Sequence, residues 1–216
     1  LNIYNSYFRS KNISFNNESL IIFNPFLDIT SKFNIEDINL QAVKKLNYEK
    51  LFDYKKIIKK INSKNELIFK SKKFDRNPID ELDLKIELAY GTLNYQKKLL
   101  ISKIFFQCDG DINLLEEFPL LFFDCFVHTK DKKKLLEIFS IKSKDKDKIF
   151  KLNTEGNLNI LNNKINFKTI SINNNYVASK EDLIYYKEAF EDILFDKSFL
   201  EIFKLKKIKS FLLNVS

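Results

Sequence analysis

The sequence has no tryptophan and no methionine, one histidine, two cysteines, three glycines and three prolines in 216 residues. Each scarcity excludes something. With His128 as the only imidazole, and no serine or cysteine in a strand-turn-helix nucleophile context, no acid–base or nucleophilic constellation is assembled. Two cysteines without a CxxC or Cys/His spacing exclude a zinc knuckle. The glycines stand far apart and none precedes GK[ST], so no phosphate-cradling loop is present. Acid pairs such as Asp80-Glu81 and Glu116-Glu117 fall in breaks between apolar runs, where solvated carboxylates are ordinary. The chain reads as a non-enzyme, with no cofactor. No apolar run reaches the ~18 residues of a membrane-spanning helix. The first residue is Leu1 rather than Met, so the sequence reads as a fragment of a longer chain whose N-terminal part would hold any membrane anchor.

Apolar residues and lysine are plentiful. Hydrophobic residues make up 44% of the chain and phenylalanine alone numbers 22, which excludes a disordered polymer. A chain of this length buries roughly 70% of its unfolded surface, enough for a real core. Net charge is +8. The lysines are scattered between apolar residues, and arginine stands only at Arg9 and Arg76. That pattern lacks the arginine fork of base and phosphate recognition, so nucleic acid is not an expected partner. Cys108 and Cys125 lie in neighbouring expected strands; they either form one disulfide or remain as packed thiols.

Period-two alternation dominates. Ile21, Phe23, Leu27, Ile29, Phe33 and Ile35 share one parity, with Asn24, Asp28, Lys32, Asn34 and Glu36 between them and Pro25 marking an edge or bulge. A second stripe runs through Leu82, Leu84, Ile86, Leu88 and Tyr90, and a third from Phe150 through Leu152 and Leu158 to Ile160. Leu121 to Val127 is apolar on both parities and is expected to be covered on both faces. Turns are expected at Gln96–Lys98, at Glu116-Glu117, at Asn162-Asn163 and at Asn173–Asn175, which makes an antiparallel meander. Helical spacing appears near 48–62, near 131–139 and from Ser179 on, where Ser179 and Asp182 form a capping-box pair ahead of Leu183, Tyr186, Phe190 and Ile193. A second C-terminal segment follows Asp196, with Leu205, Ile208 and Leu212 on one side and lysines around them. The fold expectation is a mainly β protein: a curled antiparallel meander or groove over 1–176 and a helical cap over 177–216.

All three glycines open the same pattern. Gly91 leads to Leu93 and Tyr95, Gly110 to Ile112 and Leu114, Gly156 to Leu158 and Ile160. Either this is a repeated bend-and-strand unit or a coincidence of a composition rich in Asn, Ile and Leu. In the first case each glycine marks a bulge, a bend or a close backbone approach.

GNLNILNNKINFKTISIN (156–173), the helical tail ending FLEIFKLKKIKSFLLNVS (199–216), and the strands NPFLDITSKFNIEDI (24–38) and IDELDLKIELAYGTLNY (79–95) resemble AsmA-like bacterial envelope proteins, the AsmA/TamB type. The resemblance implies a curled β-groove that binds phospholipid and conducts it between inner and outer membranes. It also implies a periplasmic, inner-membrane-anchored location, the anchor lying outside this fragment. The candidate groove lining is Ile21, Phe23, Leu84, Ile86, Leu88, Leu152, Leu158, Ile160, Ile165 and Phe167. A charge at Ile160 is expected to block transfer or unfold the domain. The basic C-terminal segment would contact lipid head groups or an envelope protein, or else cap the sheet edge. The alternative is a non-catalytic β-sandwich scaffold or adhesion module that binds a protein partner. An open apolar face separates the first reading from the second.

Overall fold

A computed structural model describes residues 1–11, 13–38, 54–71, 79–133 and 149–194. The protein is mainly β. Eleven strands form one sheet whose spatial order follows the chain: β1 (Asn2–Arg9), β2 (Ile13–Ile22), β3 (Leu27–Ile38), β4 (Ile61–Lys70), β5 (Glu81–Ala89), β6 (Thr92–Ile101), β7 (Ile104–Asn113), β8 (Leu120–Thr129), β9 (Phe150–Asn159), β10 (Lys164–Ile172) and β11 (Tyr176–Val177). Two helices are described, α1 (Lys55–Ile58) and α2 (Lys180–Leu194). The chain forms two compact units, one of Leu1–Lys103 with Gln107–Pro119, the other of Ile104–Phe106 with Leu120–Ser216.

In the first unit, β1/β2, β2/β3, β4/β5 and β5/β6 pair antiparallel, while β3 and β4 run parallel from Leu27↔Ile61 to Ile35↔Phe69. The meander expectation holds for the strand order but not for this step. A parallel neighbour requires a crossover, so β4 starts beside the start of β3, Ile61 opposite Leu27, and not beside its end. The helix expected near 48–62 is accordingly shorter at its end: α1 stops at Ile58, and Ile61 and Asn62 open β4. Residues 48–53 lie outside the described set, as do 134–139 of the expected helix near 131–139, where Lys132 and Lys133 are helical.

The long stripe from Ile21 to Ile35 is two strands, not one. Residues Phe23–Phe26 reverse the chain around a cis Asn24–Pro25 bond. Gln96–Lys98 are not a turn but the middle of β6. The reversal before that strand is Tyr90-Gly91, both at positive φ (52° and 86°), the geometry of a tight two-residue hairpin. Turns stand where expected at Glu116-Glu117, at Asn162-Asn163 and at Asn173–Asn175. Ile35, Ile58, Phe69, Ile112 and Leu114 are the buried apolar residues of this unit.

The second unit is built on β8, β9 and β10 with α2 against β10. Capping starts the helix: the Asp182 backbone N–H donates to Ser179 Oγ (3.2 Å), and the Ser179 N–H donates back to Asp182 Oδ2 (3.0 Å). Those bonds hold the Asp182 carboxyl below its usual range, the Ser179 backbone bond first, then the Tyr176 and Ser179 hydroxyls. Beyond Leu194 the basic segment at 195–216, including Asp196 and the Leu205, Ile208 and Leu212 stripe, lies outside the described residues.

β10 pairs with β11 only at Ser171 and Ile172, so the rest of its outer edge needs other partners. Side chains of α2 supply some of them. Glu191 Oε1 accepts the Ile165 N–H at 2.9 Å, its Oε2 takes Lys164 Nζ at 2.8 Å, and Lys187 Nζ donates to Asn166 Oδ1 at 3.1 Å.

Candidate functional site

The register of β2 to β6 sorts every side chain to one face or the other. One face carries, strand by strand, the rows Ile21–Ile29–Ser63–Leu88–Leu93, Ser19–Ser31–Asn65–Ile86–Tyr95, Asn17–Phe33–Leu67–Leu84–Lys97 and Phe15–Ile35–Phe69–Leu82–Leu99. The other carries rows such as Glu18–Lys32–Glu66–Lys85–Gln96. There Glu66 takes Lys32 at 3.4 Å and Lys85 at 3.5 Å, and Lys64 meets Glu87 at 3.2 Å. These pairs are exposed, each worth about 0–1 kcal/mol, and mark a solvated face.

The apolar face is not uniform. Its second row has small polar side chains, Ser19, Ser31 and Asn65, between flanking rows of large apolar ones. A concavity of about 850 Å³ crosses all six strands, from Asn2–Tyr4 on β1 to Asn94–Gln96 on β6; its lining takes in the charged-face row Glu18–Lys32–Glu66–Lys85–Gln96 and, of the apolar-face rows, only Ser19–Ser31–Asn65–Ile86–Tyr95. Five inter-strand steps of ~4.8 Å give it a length of roughly 24 Å. The floor is satisfied internally. Ser19 Oγ lies 2.8 Å from Ser31 Oγ and 2.9 Å from Asn17 Oδ1. Asn17 Nδ2 donates to the Lys32 carbonyl (3.2 Å), and Asn65 Nδ2 to Ser63 Oγ (3.1 Å). At the β6 end, burial and then the Asp109 and Asp111 carboxylates push the Tyr95 phenol up to about 12.

Four of the expected lining residues, Ile21, Leu84, Ile86 and Leu88, share this face, and Ile86 lies in the floor. Phe23 does not. It follows the end of β2 in the chain reversal and is 68% exposed.

In the second unit, Leu152 and Leu158 share a face of β9, with Ile165 and Phe167 beside Leu158 on β10. This face is closed around Leu158. Leu158 and Ile165 are buried, with Leu121, Phe123, Phe167 and the α2 residue Phe190 packed on them. Phe167 stands edge-on to both Phe123 (6.1 Å) and Phe190 (5.7 Å). Leu158, Ile165 and Phe167 are therefore core rather than open lining, because α2 covers them. Ile160 is in the turn after β9, half-buried. β8 is not covered on both faces along its length: Phe122 is 46% exposed.

The three glycines are not equivalent. Gly91 is a turn residue at positive φ with the Leu115 side chain against it, Gly110 lies within β7, and Gly156 lies within β9 opposite Phe167 and Phe123. Only Gly156 is the close backbone approach expected of the pattern. A Cβ there would run into the Asn166 carbonyl and come within 2.8 Å of Phe123 Cζ. His128 is the penultimate residue of β8, its ring stacked on Phe126 at 5.9 Å.

Lys97 is hidden in the sequence because Gln96–Lys98 has the polarity of a turn. The parity of Leu93, Tyr95, Lys97 and Leu99 carries the signal that places it on the apolar face. Neither cysteine is a free thiol; both are disulfide-bonded. Among the described residues no group of His, Cys, Asp or Glu is arranged to hold a metal ion, and no helix is long and apolar enough to cross a membrane.

No family model matches the chain, and no curated protein or solved structure matches it.

Proposed function

We propose that the chain is an AsmA-like envelope protein that binds phospholipid on the apolar face of β1 to β6, as part of a path between the inner and outer membranes. The observation that supports this most directly is the register of β2 to β6, which sets Ile21, Ile29, Leu88 and Leu93 in one row and Phe33, Leu67 and Leu84 in another on the same face. A chain laid across the strands meets Ile21, Ile29, Leu88 and Leu93 on one flank and Phe33, Leu67 and Leu84 on the other. Each methylene removed from water there contributes about 0.8 kcal/mol. Passage along such a surface requires no bond to break. The disulfide-bonded state of both cysteines fits an oxidising compartment such as the periplasm. The inner-membrane anchor of this reading would belong to sequence outside the 216 residues.

The experiment is photocrosslinking in the full-length protein, with a photoreactive residue at Ile86. A phospholipid adduct is the expected result, and Ile86→Asp, which sets a carboxylate in the floor, is expected to reduce lipid capture at Ile86-adjacent positions such as Leu88. A protein adduct in place of a lipid one would overturn this reading in favour of a partner-binding β-scaffold.

A further inference from the structure

The strand register of the first unit gathers four connections at one end of its sheet. β2 ends and β3 begins there, Ile22 opposite Asp28; β4 starts beside β3, Ile61 opposite Leu27; and β5 ends beside the start of β4, Leu88 opposite Ser63. The 23–26 reversal, the 54–60 segment with α1, the Tyr90-Gly91 hairpin and the 114–119 loop therefore share that end. Hydrogen bonds tie neighbours together. The Tyr90 N–H donates to Asn62 Oδ1 (3.4 Å), the Leu114 N–H to the Gly91 carbonyl (2.9 Å), and Lys55 Nζ to the Glu116 carbonyl (2.6 Å). Each tip carries large apolar side chains that are more than half exposed: Phe23 and Phe26, Tyr54 and Ile57, Tyr90, and Phe118. At the other end of the same strands the described reversals are polar, Ser10-Lys11 and Ser102-Lys103. Single exposed apolar residues are ordinary, but their gathering on the tips of one end marks a surface that meets something apolar. The same tips carry four lysines, Lys55, Lys56, Lys59 and Lys60, against two acids, Glu116 and Glu117. Among the described residues no carboxylate pairs with Lys56, Lys59 or Lys60.

We propose that this end of the first unit docks on the surface of a phospholipid bilayer, its exposed rings and Ile57 inserted at head-group level and Lys56, Lys59 and Lys60 set against anionic lipid. Two features select a bilayer over a protein partner. The apolar side chains stand on separate tips spread over about five strand steps, ~24 Å, with charged and polar residues between them. A protein interface is built around one contiguous, closely packed core, whereas the bilayer interface takes up scattered aromatic rings one by one. The lysines supply the charge complement: their stems lie along apolar surface while their ammoniums reach the phosphates. The docking is separate from the lipid path proposed for the apolar face and stands if that path fails.

The chain has no tryptophan, so a single introduced indole reports from its own position. Phe23→Trp and Phe26→Trp place it on a tip; Tyr7→Trp places it at an exposed position of β1 towards the opposite end. Each 216-residue variant is titrated with vesicles of equimolar phosphatidylcholine and phosphatidylglycerol, with and without bromine on the acyl chains. Emission from Phe23→Trp and Phe26→Trp is expected to shift to the blue and to be quenched by the brominated chains, and that from Tyr7→Trp to do neither. Lys56→Glu, Lys59→Glu and Lys60→Glu combined, all at exposed positions, are expected to weaken vesicle binding of Phe23→Trp at least about tenfold. Absence of shift and quenching at both tip positions, in variants whose circular dichroism matches wild type, would overturn the docking. Equal quenching in Tyr7→Trp would overturn its end-on placement, and undiminished affinity in the triple Glu variant the role of the lysines. A blue shift without vesicles, together with a doubled mass in sedimentation, would assign the tips to a second copy of the chain instead.

Discussion

Glu191 of α2 accepts the backbone N–H of Ile165 at 2.9 Å, so a helix side chain completes the hydrogen bonding of a strand edge. The carboxylate is largely covered, its side chain 12% exposed. Glu191→Ala removes the acceptor and leaves a part-buried N–H unpaired, at a cost of about 1–2 kcal/mol. Glu191→Gln keeps an acceptor and is expected to lose less. Denaturant melts of the three proteins measure this, and identical midpoints would show that the contact does not hold α2.

Gly156→Ala is expected to destabilise the second unit by about 1–3 kcal/mol, since the new methyl meets backbone, the Asn166 carbonyl, which cannot rotate away. Gly91→Ala is expected to cost at least about 1 kcal/mol, from its φ of +86° and from the Leu115 side chain that a new methyl would meet. Paired substitution Gly156→Ala with Phe123→Leu, which relieves only the ring contact, should recover little. Full recovery would place the strain on the ring instead.

Ile160→Asp and Leu158→Asp separate turn from core. Ile160 is in the Ile160–Asn163 turn, where a carboxylate reaches water, and its substitution is expected to cost under about 1 kcal/mol. Leu158 is 5% exposed beneath α2, and an aspartate there is expected to cost more than about 3 kcal/mol. From the stripe alone, a charge at Ile160 is expected to block transfer or unfold the domain. Similar melting temperatures for the two variants would contradict the turn placement.

The capping pair gives α2 an acid sensitivity. Asp182 has a folded-state pKa below the ordinary 3.8, so its ionised form is favoured by folding. That contribution is fully present above pH 3.8 and is lost as pH falls from there through the depressed folded value. Asp182→Asn is expected to flatten the decline of α2 helicity over that interval, read as circular dichroism against pH. The Ser179→Ala variant should show a partial effect, because the backbone bond survives. Parallel pH profiles in wild type and Asp182→Asn would reject the cap as the titrating element.

Much of this fold was legible as parity. Leu27, Ile29, Phe33 and Ile35 mark one face of β3, and Leu82 to Leu88 mark one face of β5, because alternation is local and the burial of one face enforces it. The parallel β3/β4 step was not legible. Ile58 and Ile61 have helical spacing, and only the pairing of Ile61 with Leu27, across 34 residues of chain, turns Ile61 into a strand residue. Gln96–Lys98 misled for a related reason: Gln96 and Lys98 are polar because they point to the charged face, which is what hid Lys97 between them. In the candidate site, apolar flanks such as Leu84 and Leu88 were visible in the stripes. The polar floor was not, since Ser19, Ser31 and Asn65 become neighbours only through two strand pairings.

The parallel step also bears on how the chain reaches its native state. The antiparallel pairs β1/β2, β2/β3, β4/β5, β5/β6 and β9/β10 join strands close in sequence, so each hairpin can form early and at small loop-closure entropy. β3 and β4 instead pair only once the start of β4 has come beside the start of β3, Ile61 opposite Leu27. A chain stalled at that point has two preformed meanders, each presenting an unpaired edge. Refolding kinetics should therefore carry the signature of one slow topological event, with aggregation competing through the β3 and β4 edges until it is complete.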